Sequence, residues 1–174
     1  MISRSSEYAI RALTYLAQQG GERFHLARDM AEVLGIPAPF LGKVLQPLVT
    51  RRILDSQRGR SGGFKLARSP REISLLHIVE SQESLDHLRR CILGQAECTD
   101  ERPCPLHEFW KTASQDFLAM LASTTLQSLV DHSQRNPRSA YPFPSATQTQ
   151  LTLSIALSDR SEPKEPSSPR VACF

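Results

Sequence analysis

With 174 residues and a formal net charge of +3, the chain is long enough for one cored domain with appendages, and too nearly neutral for charge alone to name a partner. No apolar run approaches the roughly 20 residues that span a membrane. The opening MISRSSEYAIRAL sets charges inside its apolar pattern without a small-residue cleavage site, so no secretory signal is expected. The expectation is a protein of the reducing cytoplasm, where clustered cysteines serve as metal ligands or redox thiols rather than as disulfides.

Ser5 or Ser6 is suited to cap a first helix running to about Gln18, with Ala9, Leu13, Leu16 and Ala17 on one face and Gly20-Gly21 ending it. A short second helix fits residues 26–34, turning Met30, Ala31 and Leu34 inward and stopping at Gly35. Ile36-Pro37-Ala38-Pro39 is a tight connection, with Pro39 in the first turn of a third helix over residues 40–51. Leu41, Val44, Leu45 and Leu48 recur there at helical spacing, and Pro47 is expected to bend or shorten the helix. Short helix, tight turn and amphipathic helix compose a helix-turn-helix. Two short strands, residues 53–56 and 64–67, flank Gln57-Arg58-Gly59-Arg60-Ser61-Gly62-Gly63, whose glycines permit the positive dihedrals of a hairpin wing. A fourth helix is expected over residues 75–83.

Charge gathers on this module. Residues 51–71 carry seven basic side chains (Arg51, Arg52, Arg58, Arg60, Lys65, Arg68, Arg71) and one acid, Asp55, which is a footprint for a polyanion. The second helix of a helix-turn-helix enters the major groove. That puts Pro39, Phe40 and Lys43 near the bases, with Lys43 supplying the strong polar reach. Arg58 and Arg60, on either side of Gly59 at the wing tip, suit the minor groove. Arg51, Arg52 and Lys65 suit phosphates, which position a protein without reading sequence.

Residues 91–107 read CILGQAECTDERPCPLH, a C-x6-C-x5-C-x2-H spacing at Cys91, Cys98, Cys104 and His107. Thiolates gathered on one loop containing Gly94, Pro103 and Pro105 are ligands for an iron–sulfur cluster or for zinc. Structural zinc favours C-x2-C knuckles, which neither cysteine interval is. An iron–sulfur cluster is therefore preferred, with metal-free thiol redox chemistry as the rival. His25, His77, His87 and His132 have no ligand spacing, and Cys173 stands apart in sequence. Residues 106–132 then form the longest helical stretch, with Thr124-Thr125 as its weak point. Leu106, Phe109, Trp110, Ala113, Phe117, Met120 and Leu121 make a stripe broad enough to meet a second subunit as well as the body. From Asn136 onward Pro, Ser and Thr dominate and a disordered tail is expected.

The succession of Ser6-Glu7-Tyr8-Ala9, the helix-turn-helix stretch 36–48, the run from Arg58-Gly59-Arg60 through Phe64-Lys65-Leu66-Ala67, and three cysteines resembles the Rrf-two family of bacterial regulators over roughly residues 1–134. The resemblance implies a homodimer, each subunit a winged helix with a long dimerisation helix, on a palindromic double-stranded DNA operator. It also implies a two-iron or four-iron cluster ligated by the three loop cysteines. The fourth ligand would come from a histidine just after the third cysteine, here His107, or from an acidic residue near the N-terminus of the other subunit, the position of Glu7. Gly42 stands where some members carry a polar base-reading side chain, which leaves the operator sequence open.

The expected fold is mainly α with a small β wing. Residues 1–72 are the winged helix-turn-helix, 73–134 the cluster loop and dimerisation helices, and 135–174 the tail. The expected function is that of a DNA-binding transcriptional regulator, not an enzyme, that senses iron, nitric oxide or redox state through the cluster. The rivals are a cluster-independent thiol-redox repressor and an iron–sulfur electron-transfer protein, which would need neither wing nor helix-turn-helix.

Overall fold

The computed structural model describes residues 2–59, 62–96, 98–139 and 141–143. Its organising element is α1 (Arg4–Gln18), which buries Ala9, Ala12, Leu13 and Leu16 completely. Against it pack α2 (Ala27–Leu34), α3 (Ala38–Thr50), α4 (Leu75–Gln82) and α6 (Leu126–Arg135). The cap is Ser3 rather than Ser5 or Ser6: its Oγ accepts from the Ser6 N–H at 3.2 Å. Ser6 is fully buried, and its hydroxyl donates to the Glu83 carboxylate just beyond α4. The same Glu83 oxygen accepts from the Ser3 N–H at 2.7 Å, so the start of α1 is stitched to the end of α4.

The helix-turn-helix forms as expected, with two adjustments. Gly35, at φ 63°, ends α2 and lets the Ile36 N–H return to the Ala31 carbonyl at 2.9 Å. The axes of α2 and α3 then meet at 116°, a helix-turn-helix angle. The helix α3 starts at Ala38 and runs unbroken through Pro47, contrary to the expected shortening. Proline removes one donor there. The acceptor it deprives is the carbonyl of Lys43, an exposed residue.

The wing pairs β1 (Leu54–Gln57) with β2 (Gly63–Leu66) antiparallel, Leu54 opposite Leu66 and Gln57 opposite Gly63. A third segment joins it: His25 and Phe64 exchange both backbone hydrogen bonds, each at 2.9 Å. Gly63 makes this approach possible, because at φ 132° a Cβ would stand 2.2 Å from the His25 carbonyl oxygen.

His77 finds its role in a capping box, where Ser74 Oγ accepts from the His77 N–H and His77 Nδ1 accepts from the Ser74 N–H. A 3-10 turn at Asp86–Arg89 leads into the cysteine loop. The helical stretch expected over 106–132 parts at its weak point, Thr124-Thr125, into α5 (His107–Ser123) and α6. Thr124 and Thr125 leave the helix in extended conformation and bridge Ser74. The Thr124 carbonyl accepts from the Leu75 N–H at 2.9 Å, and the Leu126 N–H donates to the Ile73 carbonyl at 2.8 Å. These tertiary bonds replace helical ones and turn α6 back onto α1. Along α5, Leu121 is buried, Trp110, Phe117 and Leu118 are half-buried, and Leu106, Phe109 and Met120 are exposed.

The tail boundary at residue 135 also needs correction. Pro142 is buried and its carbonyl accepts from Arg11 Nε–H at 2.9 Å, while the Tyr141 hydroxyl lies 2.9 Å from Thr14 Oγ1. Phe143 sits edge-on to Tyr15. Two aromatic rings with polar anchors outweigh the Pro-rich composition around them, and the packed body reaches Phe143. Residues 144–174, including Cys173, lie outside the described residues.

The Glu83 junction sets a pH dependence. Burial raises its carboxyl pKa, but the hydrogen bonds from Ser6 and Ser3 outweigh that and hold it below the ordinary value. A carboxyl depressed on folding contributes stability above its unfolded value, about 4.3, and loses it as pH falls through the folded value. Glu83→Gln keeps the acceptor and removes the charge. The variant should therefore be less stable than the native chain at pH 7 in urea unfolding, and the difference should close as pH falls below about 4. A difference independent of pH would refute the assignment.

Candidate functional site

Two clusters of side chains stand out, one on the cysteine loop and one across α3 and the wing. Cys91, immediately after the 3-10 turn, and Cys104, three residues before α5, are both buried, and Cys98 is half-buried. Gly94, at φ 82°, tightens the first turn of the loop so that its N–H reaches the Cys91 carbonyl at 3.0 Å. That turn aims backbone N–H groups at the Cys91 sulfur. Hydrogen bonding from Gln95 leads in drawing the thiol's pKa below its ordinary value, with Leu93, the Cys104 thiol and Gly94 adding to it against burial. Cys98 moves the opposite way: burial raises it first, then the charge of Cys91, Cys104 and Asp100, with Lys111 opposing. All three thiols are thus close enough to feel one another.

His107 opens α5 and is 4% exposed at its side chain. Its N–H donates to the Cys104 carbonyl at 2.9 Å, fixing the helix start against the third cysteine. Its Nδ1 lies 3.4 Å from Cys98 Sγ. On the other side of the ring, Nε2 is 2.8 Å from Asp100 Oδ1, and Lys111 Nζ reaches the two Asp100 oxygens at 2.7 and 2.8 Å. The Asp100 carboxyl is held below its ordinary value by the bond from Lys111, then that from His107. Trp110 Nε1–H donates to the Arg90 carbonyl at 2.8 Å, pinning the loop's entry to α5. A cleft lined by Leu88, Cys98, Asp100, His107, Trp110 and Lys111 gives access to this edge.

The structure sets Cys98 Sγ against His107 Nδ1 and Cys104 near enough to Cys91 to lower its pKa, and the donor types on the loop, soft sulfurs and an imidazole, are those an iron–sulfur group takes. Glu7, expected to act from the other subunit, lies on α1. It is exposed and pairs with Arg11 of its own helix at 3.6 Å. Donor atoms of Asp100, His107 and Glu108 lie within 4.8 Å of one another, but the Lys111 ammonium already occupies Asp100. Asp100 and Lys111 were not singled out from sequence. The available signals were the acid lying between two candidate ligands and the lysine one helical turn after His107.

On α3, Pro39, Phe40, Lys43, Gln46 and Thr50 are exposed along one face, opposite the buried Leu41, Val44, Leu45 and Leu48. Gln46 and Thr50 were missed in sequence, although they continue the helical spacing of Lys43. Phe40 packs edge-on against Tyr8 of α1, ring centroids 5.6 Å apart, with Arg11 over the other ring at 5.7 Å. Arg58 is exposed at the wing tip beside Gly59, while Arg60 lies outside the described residues. Lys65 lies over the Phe24 ring at 5.1 Å and 3.9 Å from Asp55. At the far end of α3, Arg51 donates to the Glu80 carbonyl, and Arg52, at φ 54°, accepts at its own carbonyl from Arg68. Both guanidinium-bearing residues remain exposed.

The profile described as Rrf2, iron-dependent transcriptional regulator, matches residues 2–132. The chain belongs to the Rrf2 family. A putative HTH-type transcriptional regulator of Aquifex aeolicus is 30% identical to it over 138 residues, covering 78% of this chain and 95% of the relative. The global cysteine regulator CymR of B. subtilis shares its fold with a TM-score of 0.63 at 23% identity, over 76% of this chain and 97% of that one. The T. potens IscR gives a TM-score of 0.63 at 24% identity, over 78% of this chain and 89% of that one. This Rrf2 member is accordingly a DNA-binding transcriptional regulator with a winged helix fold, and not an enzyme. No single described helix is long and apolar enough to cross a membrane.

One stability prediction follows from the recognition helix of this Rrf2 regulator. Gly42 sits inside α3, and a Cβ there would meet no atom within 4 Å. Gly42→Ala should raise the unfolding free energy by about 0.5–1 kcal/mol, by restricting the unfolded backbone. Urea denaturation is the check, and a loss of stability would mean the helix is strained at that point.

Proposed function

We propose that this Rrf2-family regulator carries a two-iron or four-iron sulfur cluster on Cys91, Cys98 and Cys104, with His107 as fourth ligand. Holding or losing the cluster would change the grip of a homodimer on a palindromic operator in the bacterial cytoplasm. The observation that carries this reading is a buried imidazole at the start of α5 whose Nδ1 faces the Cys98 thiol, on a loop that also buries Cys91 and Cys104. His107 is preferred as the fourth ligand because its Nδ1 already faces Cys98 within the same chain. The family description, iron-dependent transcriptional regulator, agrees with it.

When bound, such a group supplies redox and ligand-exchange chemistry that responds to iron supply, nitric oxide and oxidants. The chain's own residues do the rest. Backbone N–H groups of Leu93, Gly94 and Gln95 favour Cys91 as thiolate. Trp110 and His107 hold the two ends of the loop against α5. The loop's stem is tied by Glu83 to α1, and Tyr8 of α1 packs on Phe40 of α3, so order in the loop and the pose of α3 are mechanically joined. DNA discriminates the two states only through its different affinity for each. We assign operator contact to Pro39, Phe40, Lys43 and Gln46 on α3 and to Arg58 and Arg60 on the wing, with Arg51, Arg52 and Lys65 on phosphates. The exposed Leu106, Phe109 and Met120 of α5 would form the dimer face. A second reading, metal-free thiol-redox control, is favoured by one contact, the hydrogen bond from the Cys104 thiol to Cys91.

Anaerobic reconstitution with iron and sulfide, read by absorption and native mass spectrometry, decides between them. A coloured dimer is expected, losing its colour in Cys104→Ala. A colourless native protein would sink the cluster, and peroxide sensitivity without metal would then favour the thiol reading. For DNA, Arg58→Ala should weaken operator binding and reduce the slope of log K against log salt by about 1, with the melting temperature unchanged because the side chain is exposed. An unchanged slope would remove Arg58 from the interface.

A further inference from the structure

Beside the proposed ligands stands one exposed carboxylate, Asp100. The Asp100 side chain is 66% exposed, a setting in which carboxylates ordinarily point to water. Here it turns inward. Oδ1 lies 2.8 Å from Nε2 of the buried His107, and Lys111 Nζ closes on both of its oxygens from the outside. His107 and Lys111 stand one turn apart on α5, so the carboxylate of the loop is clasped between two side chains of one helix face. The arrangement spans the whole ring of His107: carboxylate on Nε2, thiol sulfur on Nδ1.

We propose, resting on the cluster reading, that Asp100 is the positioning residue for His107, held in place by Lys111. The physical argument concerns the tautomer. A neutral imidazole carries its proton on one nitrogen and its lone pair on the other, and the partner of one nitrogen decides which. With Asp100 accepting from Nε2–H, the lone pair stands on Nδ1, the atom that faces Cys98. Without Asp100, the proton is free to sit on Nδ1 and the ring is free to turn, so the nitrogen facing the thiols is no longer a ligand. A carboxylate on the distal nitrogen also makes the imidazole a stronger donor. Lys111 keeps Asp100 from swinging to solvent.

The test uses the full-length chain reconstituted anaerobically, comparing the native protein with Asp100→Ala, Asp100→Asn, Lys111→Met and His107→Ala. Two quantities are read: the rate at which a chelator strips the cluster, and the histidine-nitrogen coupling in pulsed electron paramagnetic resonance of the reduced protein. Asp100→Ala should lose its cluster about 10-fold faster or more and show a weakened or heterogeneous nitrogen coupling. Asp100→Asn, whose amide oxygen still accepts from Nε2–H, should restore most of both, and Lys111→Met should fall between. A purely structural role for Asp100 would lower the melting temperature of the metal-free protein without touching the nitrogen coupling. The inference is overturned if Asp100→Ala matches the native protein in both readouts while His107→Ala does not. If His107→Ala also leaves both unchanged, His107 is no ligand and the two proposals fall together. If the native chain takes up no cluster, the cluster reading is the one that failed first.

Discussion

Ala9, Ala12, Leu13 and Leu16 lose all contact with solvent on a single face of α1, and the arrangement of four other helices follows from that burial. Each buried leucine contributes roughly 1.5–3 kcal/mol relative to an exposed one. The two alanines, carrying almost no side chain, let neighbouring helices come close. The helix-turn-helix packs on this face through α2 and α3, and the C-terminal half packs on it through α4 and α6. Arg11 works at the same junction, donating to the Leu34 carbonyl at 2.5 Å and to the Pro142 carbonyl at 2.9 Å. One helix therefore joins the α2 C-terminus, the recognition helix and the final described segment.

A second constraint acts in the cysteine loop, and it is electrostatic. N–H groups on the Cys91 side favour a thiolate, while that charge and the charge of Cys104 push Cys98 towards the neutral thiol. Burial acts first at Cys98, and Lys111 is the cation opposing that push. At the proposed site a metal-centred positive charge would relieve the same conflict.

Elements specified by local patterns were legible in the sequence. Apolar spacing at Leu41, Val44, Leu45 and Leu48, with Gly35 before it, announces a helix-turn-helix because both signals are local. The glycine hairpin and the cysteine spacing are local in the same sense. What escaped depends on partners distant in the chain. That the last helix breaks completely at Thr124 and Thr125, where the sequence marks only a weak point, follows from Leu75 donating to the Thr124 carbonyl and Leu126 donating to the Ile73 carbonyl. His25 joins the wing because Gly63 leaves room for it. Tyr141 and Phe143 are held down by Thr14 and Tyr15, which lie on α1. In the candidate site the cysteine spacing could be read locally, whereas the orientation of the His107 ring, between Cys98 and Asp100, could not. Pro47 misled for the opposite reason: its local penalty is real, but falls at an exposed residue where it is small.

The composition of the recognition surface bears on how a state of the loop would reach DNA. The exposed face of α3 offers Pro39, Phe40, Lys43 and Gln46, with no side chain at Gly42, so in the proposed operator complex much of it would read shape more than hydrogen-bonding pattern. Shape-dependent contact is sensitive to pose, since it relies on how closely a backbone approaches and at what angle. Phe40 is braced by Tyr8, one turn along α1 from the serines that grip Glu83. A shift of α1 relative to α4 is therefore transmitted to the N-terminal turn of α3 through one aromatic contact. A surface poor in bidentate base contacts has little to resist such a shift with, and this is the property that makes a weakly specifying helix a responsive one.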